Sequence, residues 1–416
     1  MKRNASLESG QVMVLLAFGF VVLLGFLALA LDGGMAYSDR RYAQNVADAS
    51  SLAGGGAAAL SIENSHVYYS TWNCADSRIV AAQNAAIQAA VSRAANNKFT
   101  IAGGTAPGAN VVTAVCGQEM LNGFMDKYID ITTYISKTTD TNFMQLFYGG
   151  ELINNVQAVT RVRPRSPLAF GHAVVATGTE ACSGNSYGVI VGGSSTTLIN
   201  GGGIWSNGCL GINGNSYHVN VTNGGIGYGS DMDGNPGNMN PAPVQSPPMS
   251  PDKFTVPAPD CSHPDAINVS GGSFGGSLSP GLYCVTGDVR INAHDSLTGS
   301  GVTIYLVSGD LTINGGATVN IEAPDTSPDP KPAIGGVLIY AAVGDIDLEG
   351  NATSAYLGLV YAPNGQIKAH GSNGTTPTFN TQLVGHTVDI SGNANIDINF
   401  NPEKAYKKPS TLELYK

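Results

Sequence analysis

The sequence predicts an N-terminal transmembrane α-helix, then a small α+β domain, then an all-β right-handed parallel β-helix. Three observations predict this order. Val12–Leu31 is a run of twenty residues without a charge. Residues 61–165 carry two alternating strand patterns around a short helical one. Between residues 168 and 400 one short strand-and-turn frame recurs.

A helix rises ~1.5 Å per residue, so the apolar run reaches across the ~30 Å hydrocarbon layer of a bilayer. Lys2, Arg3 and the α-amino group precede it against the single acid Glu8. Basic residues beside the first helix favour the cytoplasmic side. Arg40 and Arg41 follow the run and argue the other way, while the neighbouring Asp32 and Asp39 weigh little. The cysteines decide between them: Cys74, Cys116, Cys182, Cys209, Cys261 and Cys284 all follow the run. An even number in an exported chain points to disulfides, which persist in oxidising compartments. The expectation is a single-pass protein of the cell membrane, with residues 1–11 cytoplasmic and the body extracytoplasmic or at the cell surface. The rival is a cleaved signal peptide, for which Ala28-Leu29-Ala30 has the small-x-small form. Signal-peptide cores run ~7–15 residues, and this run is longer, so a retained anchor at 12–31 is expected.

Charged residues make up 12% of the 416, about half the usual share of a soluble domain. The 54 glycines show no period of three, which excludes collagen. Such a chain must keep its surface wet with Asn, Ser, Thr and Gly, as turn-rich β proteins do. The net charge of −10 and pI near 5.0 argue against nucleic acid, and against a basic patch for anionic lipid.

Residues 32–60 read as an extended helix. In DRRYAQNVADASSLAGGGAAAL, Tyr42, Val46, Ala49 and Ala53 recur at helical spacing. This stripe of small residues permits close approach of another helix. It serves either as a lateral assembly face or as packing for its own domain. A bend at Gly33-Gly34 is expected, and Gly54–Gly56 are expected to end or weaken the helix.

The segment from Gly10-Gln11 through Asp32, Tyr37, Arg41 and the tract Gln44–Ala53 resembles the N-terminal segment of the Tad (tight adherence, Flp-type) pilus-assembly proteins, the TadE/TadG-like group. The resemblance covers about the first 60 residues. It implies an anchored, pilin-like protein that works with other pilus or pilus-assembly proteins. Residues 61–165 fit that reading: YIDITTYI (Tyr128–Ile135), a short helix around Phe143 and Phe147, then VQAVTRV (Val156–Val162). This is how small pilin-like domains close. Two departures stand out. Five residues after Gly10 comes Leu15, where pilins cut by a prepilin peptidase carry glutamate. The Asp-x-Ser-x-Ser string of a von Willebrand A-type domain is absent from the sequence.

The second half repeats instead. Glycines 287, 309, 344, 365 and 385 open DVRINA, DLTING, DIDLEG, QIKAHG and HTVDISG, at spacings of 22, 35, 21 and 20. The long interval holds a Pro-rich insertion (Glu322–Gly336). Gly208-CLGING fits the same frame, and Ser194–Gly201 fits loosely. Val302–Gly309, Val337–Gly344 and Leu357–Gly365 supply a second strand per turn. One short amphipathic strand cannot bury its face alone, whereas stacked units of ~20 residues bury a continuous core. First turns are expected at 168–229, a Pro-rich linker or excursion at 230–265, main turns at 266–400 and a tail at 401–416. The rival is a β-sandwich. LSPGLYC (Leu278–Cys284) resembles a string in β-helical extensions of Tad-like proteins. Pairing neighbours in sequence gives Cys74 with Cys116, Cys182 with Cys209 and Cys261 with Cys284, a preference among 15 pairings.

Chemical motifs are thin. Gly271-Gly272-Ser273-Phe274-Gly275 matches the nucleophile-elbow string but sits in a Gly/Ser-rich turn. Asp231, Asp233 and Asn235 begin a calcium-type loop whose twelfth position is Ala242 rather than Glu. The other reading is an Asx-rich turn. His66, His172, His218, His263, His294, His370 and His386 show no metal-binding spacing. Asp288, Asp310 and Asp345 share one repeat position, and Arg290 is the only arginine after Arg165. The expectation is therefore a non-enzymatic envelope protein without cofactor, a minor-pilin-like component or assembly factor of a Tad/Flp-type pilus. The alternative is a surface adhesin whose β-helix takes a surface glycan.

Overall fold

The computed structural model describes residues 9–415 except 70, 122–123, 147–149, 184–186, 195, 215, 327–330, 350, 372–377 and 393. The chain divides into two units. One comprises Met1–Arg165 with Pro409–Lys416, the other Ser166–Lys408. The tail expected at 401–416 is thus shared between them, and the predicted segments 32–60 and 61–165 form one body.

The first unit is built on one continuous helix, α1 (Ser9–Asn64). Its apolar run stands exposed, with Leu15, Phe18 and Leu23 each about two-thirds accessible. From residue 43 on, α1 turns Ala43, Val46, Ala47, Ala58 and Ile62 into a core. A second helix, α2 (Ser77–Asn96), is capped by Asp76, whose side chain accepts the Arg78 N–H. It buries Ile79, Ala82, Ala86, Ala90 and Ala94. That stripe at i, i+3, i+7, i+11 and i+15 is nearly all alanine, so α2 lies close to its neighbours.

Both helices cover a five-stranded sheet in the order Ala102–Gly103, Val111–Leu121, Phe124–Thr139, Leu152–Arg163, Thr411–Leu414. The three long strands and the last are antiparallel. The alternating YIDITTYI and VQAVTRV lie within its two central strands and contribute Ile129, Ile131, Ile135, Val156 and Val162 to the core. The short helix expected near Phe143 is a 3₁₀ turn, Met144–Leu146; Phe147 lies outside the described residues.

One expectation for α1 is corrected: the helix does not end at Gly54–Gly56 but runs on to Asn64. Gly54 and Gly55 are there for proximity. A Cβ at Gly54 would lie 2.9 Å from the Ala86 carbonyl oxygen. One at Gly55 would lie 2.5 Å from Thr160 Cγ2 and 2.9 Å from Leu412 Cδ1.

In the second unit, 22 strands join one sheet. Among its described pairings every one is parallel, for example Val189–Gly193 with Leu210–Asn213 and His218–Thr222 with Thr196–Asn200. That count and direction do not fit a sandwich of hairpins. The strands stack on three faces, not the two per turn expected. One face carries Val189–Gly193, Leu210–Asn213, Leu311–Ile313 and Ile346–Leu348. The next carries Thr196–Asn200, His218–Thr222 and Thr318–Glu322. The third carries Ile204–Ser206, Val302–Ser308 and Val337–Ala341. Inward residues of all three, such as Ile313 and Leu348 from the first, Val319 from the second and Ile304 from the third, form one core. The arrangement is compatible with a solenoid.

The repeat glycines occupy the corner between the third and first faces. Gly287, Gly309 and Gly344 have φ of +90°, +91° and +108°. Gly309 and Gly344 also stack without room for a side chain, since a Cβ would lie 2.4 Å from the Gly287 carbonyl carbon and 2.2 Å from the Gly309 carbonyl oxygen respectively. Gly208 falls at the same corner. The loosely fitting Ser194–Gly201 does not, because its strand belongs to the next face.

The stack is not in sequence order. Residues 174–176 pair with 383–385, and 189–193 with 388–392. The supposed linker 230–265 begins with a further turn of strands, Met232–Asp233, Met239–Asn240 and Val244–Gln245. Only residues 246–266 leave the ladder. They return outside the stack to its other end, where Ile267–Ser273 resumes the pairing. This strap buries Met249, Phe254 and Val256, holds Asn207 through the Met249 backbone, and ends at the Cys261–Cys284 disulfide.

Candidate functional site

The candidate site is where α1 leaves its apolar run. Asp32, the first residue past that run, has no exposed surface. Its carboxylate accepts the backbone N–H groups of Asn142 (3.1 Å), Phe143 (2.9 Å) and Met144 (2.5 Å). It therefore caps a turn of a different element, the tip between the strands Phe124–Thr139 and Leu152–Arg163. Further bonds hold the same two pieces together. Thr139 donates to Asp39 (2.9 Å). Asn154 donates to the Ala36 carbonyl (3.2 Å) and to Thr139 Oγ1 (3.1 Å).

Burial opposes the charge on Asp32, but the three N–H donors outweigh it and hold the carboxyl below the ordinary carboxylate value. A depressed carboxyl stabilises the fold above its unfolded pKa and loses that contribution as pH falls through the native value. Asp32→Ala is expected to speed amide exchange at 142–144 at neutral pH. The excess over wild type should shrink on acidification below the ordinary carboxylate pKa. Hydrogen exchange read by mass spectrometry on the full chain checks both arms. A difference that stays constant through acid would refute the ionised cap. In the sequence Asp32 is a flanking charge and the residue that closes the Tad-like run; the signal for its capping role is an acid set directly against twenty apolar residues.

The four residues of the stripe, read as an assembly face or as packing for their own domain, differ in exposure. Val46 is 2% exposed and belongs to the core of its own unit. The Tyr42 hydroxyl donates to the Asn97 carbonyl (2.9 Å), and its ring lies 5.6 Å from Phe99. Ala49 and Ala53 are half-buried. Val46 thus packs into its own domain, while Tyr42 remains 43% exposed. Past residue 40, α1 also leaves Arg41, Asn45, Leu52, Gly56 and Leu60 exposed.

Asp231, Asp233 and Asn235 each have a separate hydrogen-bond partner. Asp231 accepts its neighbour's Met232 N–H, Asp233 accepts the Tyr187 hydroxyl, and Asn235 accepts the Gly237 N–H at the start of a 3₁₀ turn. Among the described residues no group of three His, Cys, Asp or Glu could hold a metal ion. His386 faces Glu180 (3.2 Å), His370 bonds the Ser391 carbonyl, and burial pulls buried His172 down to about 4. The Ser273 side chain lies outside the described residues; the strand containing its backbone is followed by Gly276–Ser277, not by a helix.

The repeat aspartates have a structural task. Asp288 accepts the Asp310 N–H (3.1 Å), Asp310 the Asp345 N–H (2.8 Å) and Asp345 the Gln366 N–H (2.7 Å). Each carboxylate ties its turn to the next at the glycine corner. The cysteines form Cys74–Cys116, Cys182–Cys209 and Cys261–Cys284, and none is free.

An exposed apolar helix running without interruption into a small α+β core is the decisive feature, and it falls within one known segment. Residues 10–59 match the Tad family, Flp pilus-assembly TadE/G-like. The TadE/G-like segment covers the apolar run, Asp32 and the half of α1 buried in the first unit. No curated protein matches the chain. Among solved structures it is similar to an ice-binding protein, LeIBP, from an Arctic yeast. The identity is 11% over 56% of this chain and 92% of that one, with a TM-score of 0.26. A likeness at that score carries no argument about this chain.

Proposed function

We propose that this is a non-enzymatic, single-span envelope protein of a Tad/Flp-type pilus, acting as a minor-pilin-like subunit or an assembly factor. Its Ser166–Lys408 unit is a right-handed parallel β-helix displayed on the outer side of the membrane. The observation that carries the reading is α1 itself. One helix is lipid-like in its first part and domain core in its second, so the anchor passes into the first unit with no linker between them. The TadE/G-like match over both parts supports the pilus assignment. Lys2 and Arg3 before the run and three disulfides after it support a cytoplasmic N-terminus and an oxidising compartment for the body. The engagement of Asp288, Asp310 and Asp345 in backbone bonds supports a structural rather than catalytic stack.

Shearing cells, pelleting the filaments and blotting for the 42.7 kDa chain tests this. Recovery with filaments identifies a subunit, and recovery in membranes of pilus-bearing cells whose filaments vanish on gene deletion identifies an assembly factor. A soluble chain, or filaments unchanged by the deletion, refutes the proposal.

A further inference from the structure

We infer that the hairpin tip bearing Phe143 and Met144 sits in the headgroup layer of the membrane beside α1, as a second point of lipid contact. This rests on the reading of Val12–Leu31 as a span.

Position is the first argument. The tip's backbone at 142–144 is bonded to Asp32, the residue directly after the apolar run. Thr139 and Asn154, at the two strand ends, are bonded to Asp39 and Ala36. A bilayer that holds Val12–Leu31 therefore has this tip at its surface, within one hydrogen bond of the last turn of the span.

Composition is the second. From Asn142 to Gly150 the sequence NFMQLFYGG carries no charge, and acids flank it at Asp140 and Glu151. Loop tips of water-soluble domains are polar, and apolar side chains gathered on one mark a contact surface. Phe143 and Met144 are only half-buried. Aromatic residues concentrate where hydrocarbon meets headgroups.

The helix carries matching anchors. Tyr37 is 65% exposed, and the Arg41 guanidinium lies 5.9 Å from its ring centroid. Arg40 is also exposed. At ~1.5 Å per residue these side chains stand ~8–14 Å above Asp32. From there a tyrosine ring and long basic side chains reach headgroups while their stems cover apolar surface. Because the flanking tip residues are acids, the fitting partner is a zwitterionic interface, not an anionic patch.

The test uses the full chain in phosphatidylcholine vesicles, with an environment-sensitive fluorophore on one introduced cysteine. The native cysteines are all paired. Phe143→Cys and Gln145→Cys probe the tip, and having both guards against disturbance by either label. Val22→Cys reports the span. Asn64→Cys, ~48 Å along α1 from Asp32, reports water. With a nitroxide lipid labelled near the headgroup, positions 143 and 145 are expected to be quenched several-fold more than 64. If both behave like 64 while Val22 is quenched by a deep nitroxide, the tip stands clear of the membrane and the inference fails alone. If Val22 is not quenched either, the anchor reading and the inference fall together.

Discussion

Gly55→Val is expected to be among the most damaging single changes in the first unit. Its new Cβ would meet Thr160 Cγ2 at 2.5 Å and Leu412 Cδ1 at 2.9 Å. Both belong to strands that cannot retreat without breaking their ladder. Overpacking of a close contact costs about 1–3 kcal/mol and more when backbone must move; here about 3 kcal/mol is expected, because the helix and two strands are locked together. Gly56→Val is the control, since nothing lies within 4 Å of its Cβ position. That change should stay within about 0.5 kcal/mol. Melting of the two variants of the full chain in detergent separates them. Equal melting temperatures would show that the helix does not lie against Thr160.

Arg161→Met is the second. The Arg161 side chain is 5% exposed and pairs with Asp130 (2.8 Å), Glu119 (2.8 Å) and Asp126 (3.4 Å). Its guanidinium lies between two rings, 3.6 Å from the centroid of Tyr128 and 4.1 Å from that of Tyr415. Its pKa is raised chiefly by hydrogen bonding to Asp130, against the desolvation that burial imposes. Removing one member of a buried pair costs about 3–5 kcal/mol, because the partner charges remain buried. Asp126 and Asp130 retain some water access (11% and 22% exposed), so the lower half of that range is expected. Arg161→Lys should recover little, since an ammonium cannot fork to carboxylates and stack on both rings. Arg78→Met removes a pair whose arginine is 41% exposed and should cost much less than Arg161→Met, because water screens an exposed pair. Urea unfolding of the three variants ranks them, and a stable Arg161→Met would show the cluster to be energetically idle.

Some of this architecture is legible in the sequence because one residue reports it. Twenty residues without charge announce a long apolar helix. Gly287, Gly309 and Gly344 announce a corner because each needs a positive φ, and Asp288, Asp310 and Asp345 repeat because each binds the next turn. What is illegible depends on remote partners. Gly54 and Gly55 read as helix breakers until Ala86, Thr160 and Leu412 are seen against them. Val46 reads as a free stripe until α2 and the sheet cover it. The strands Met232–Asp233, Met239–Asn240 and Val244–Gln245 hide among prolines, because two paired residues per face leave no periodicity to detect. Thr411–Leu414 is too short and too polar to announce itself, and its place is fixed by Arg163 pairing with Glu413 (2.5 Å). Asp32 is read from its neighbours in sequence, whereas its role comes from Asn142–Met144.

The order in which residues 174–176 meet 383–385 has a consequence for how the chain comes to be folded. The partners are separated by 209 positions (383 − 174). In the first unit, Leu152–Arg163 likewise waits for Thr411–Leu414. A chain made from its N-terminus leaves both edges open until its last forty residues arrive. Contacts so distant in sequence form slowly, and open strand edges invite pairing with other chains. The ribosome and any export channel therefore handle this protein almost to its end as an unfinished chain, and a copy stopped before residue 378 loses the closing strand of both units at once.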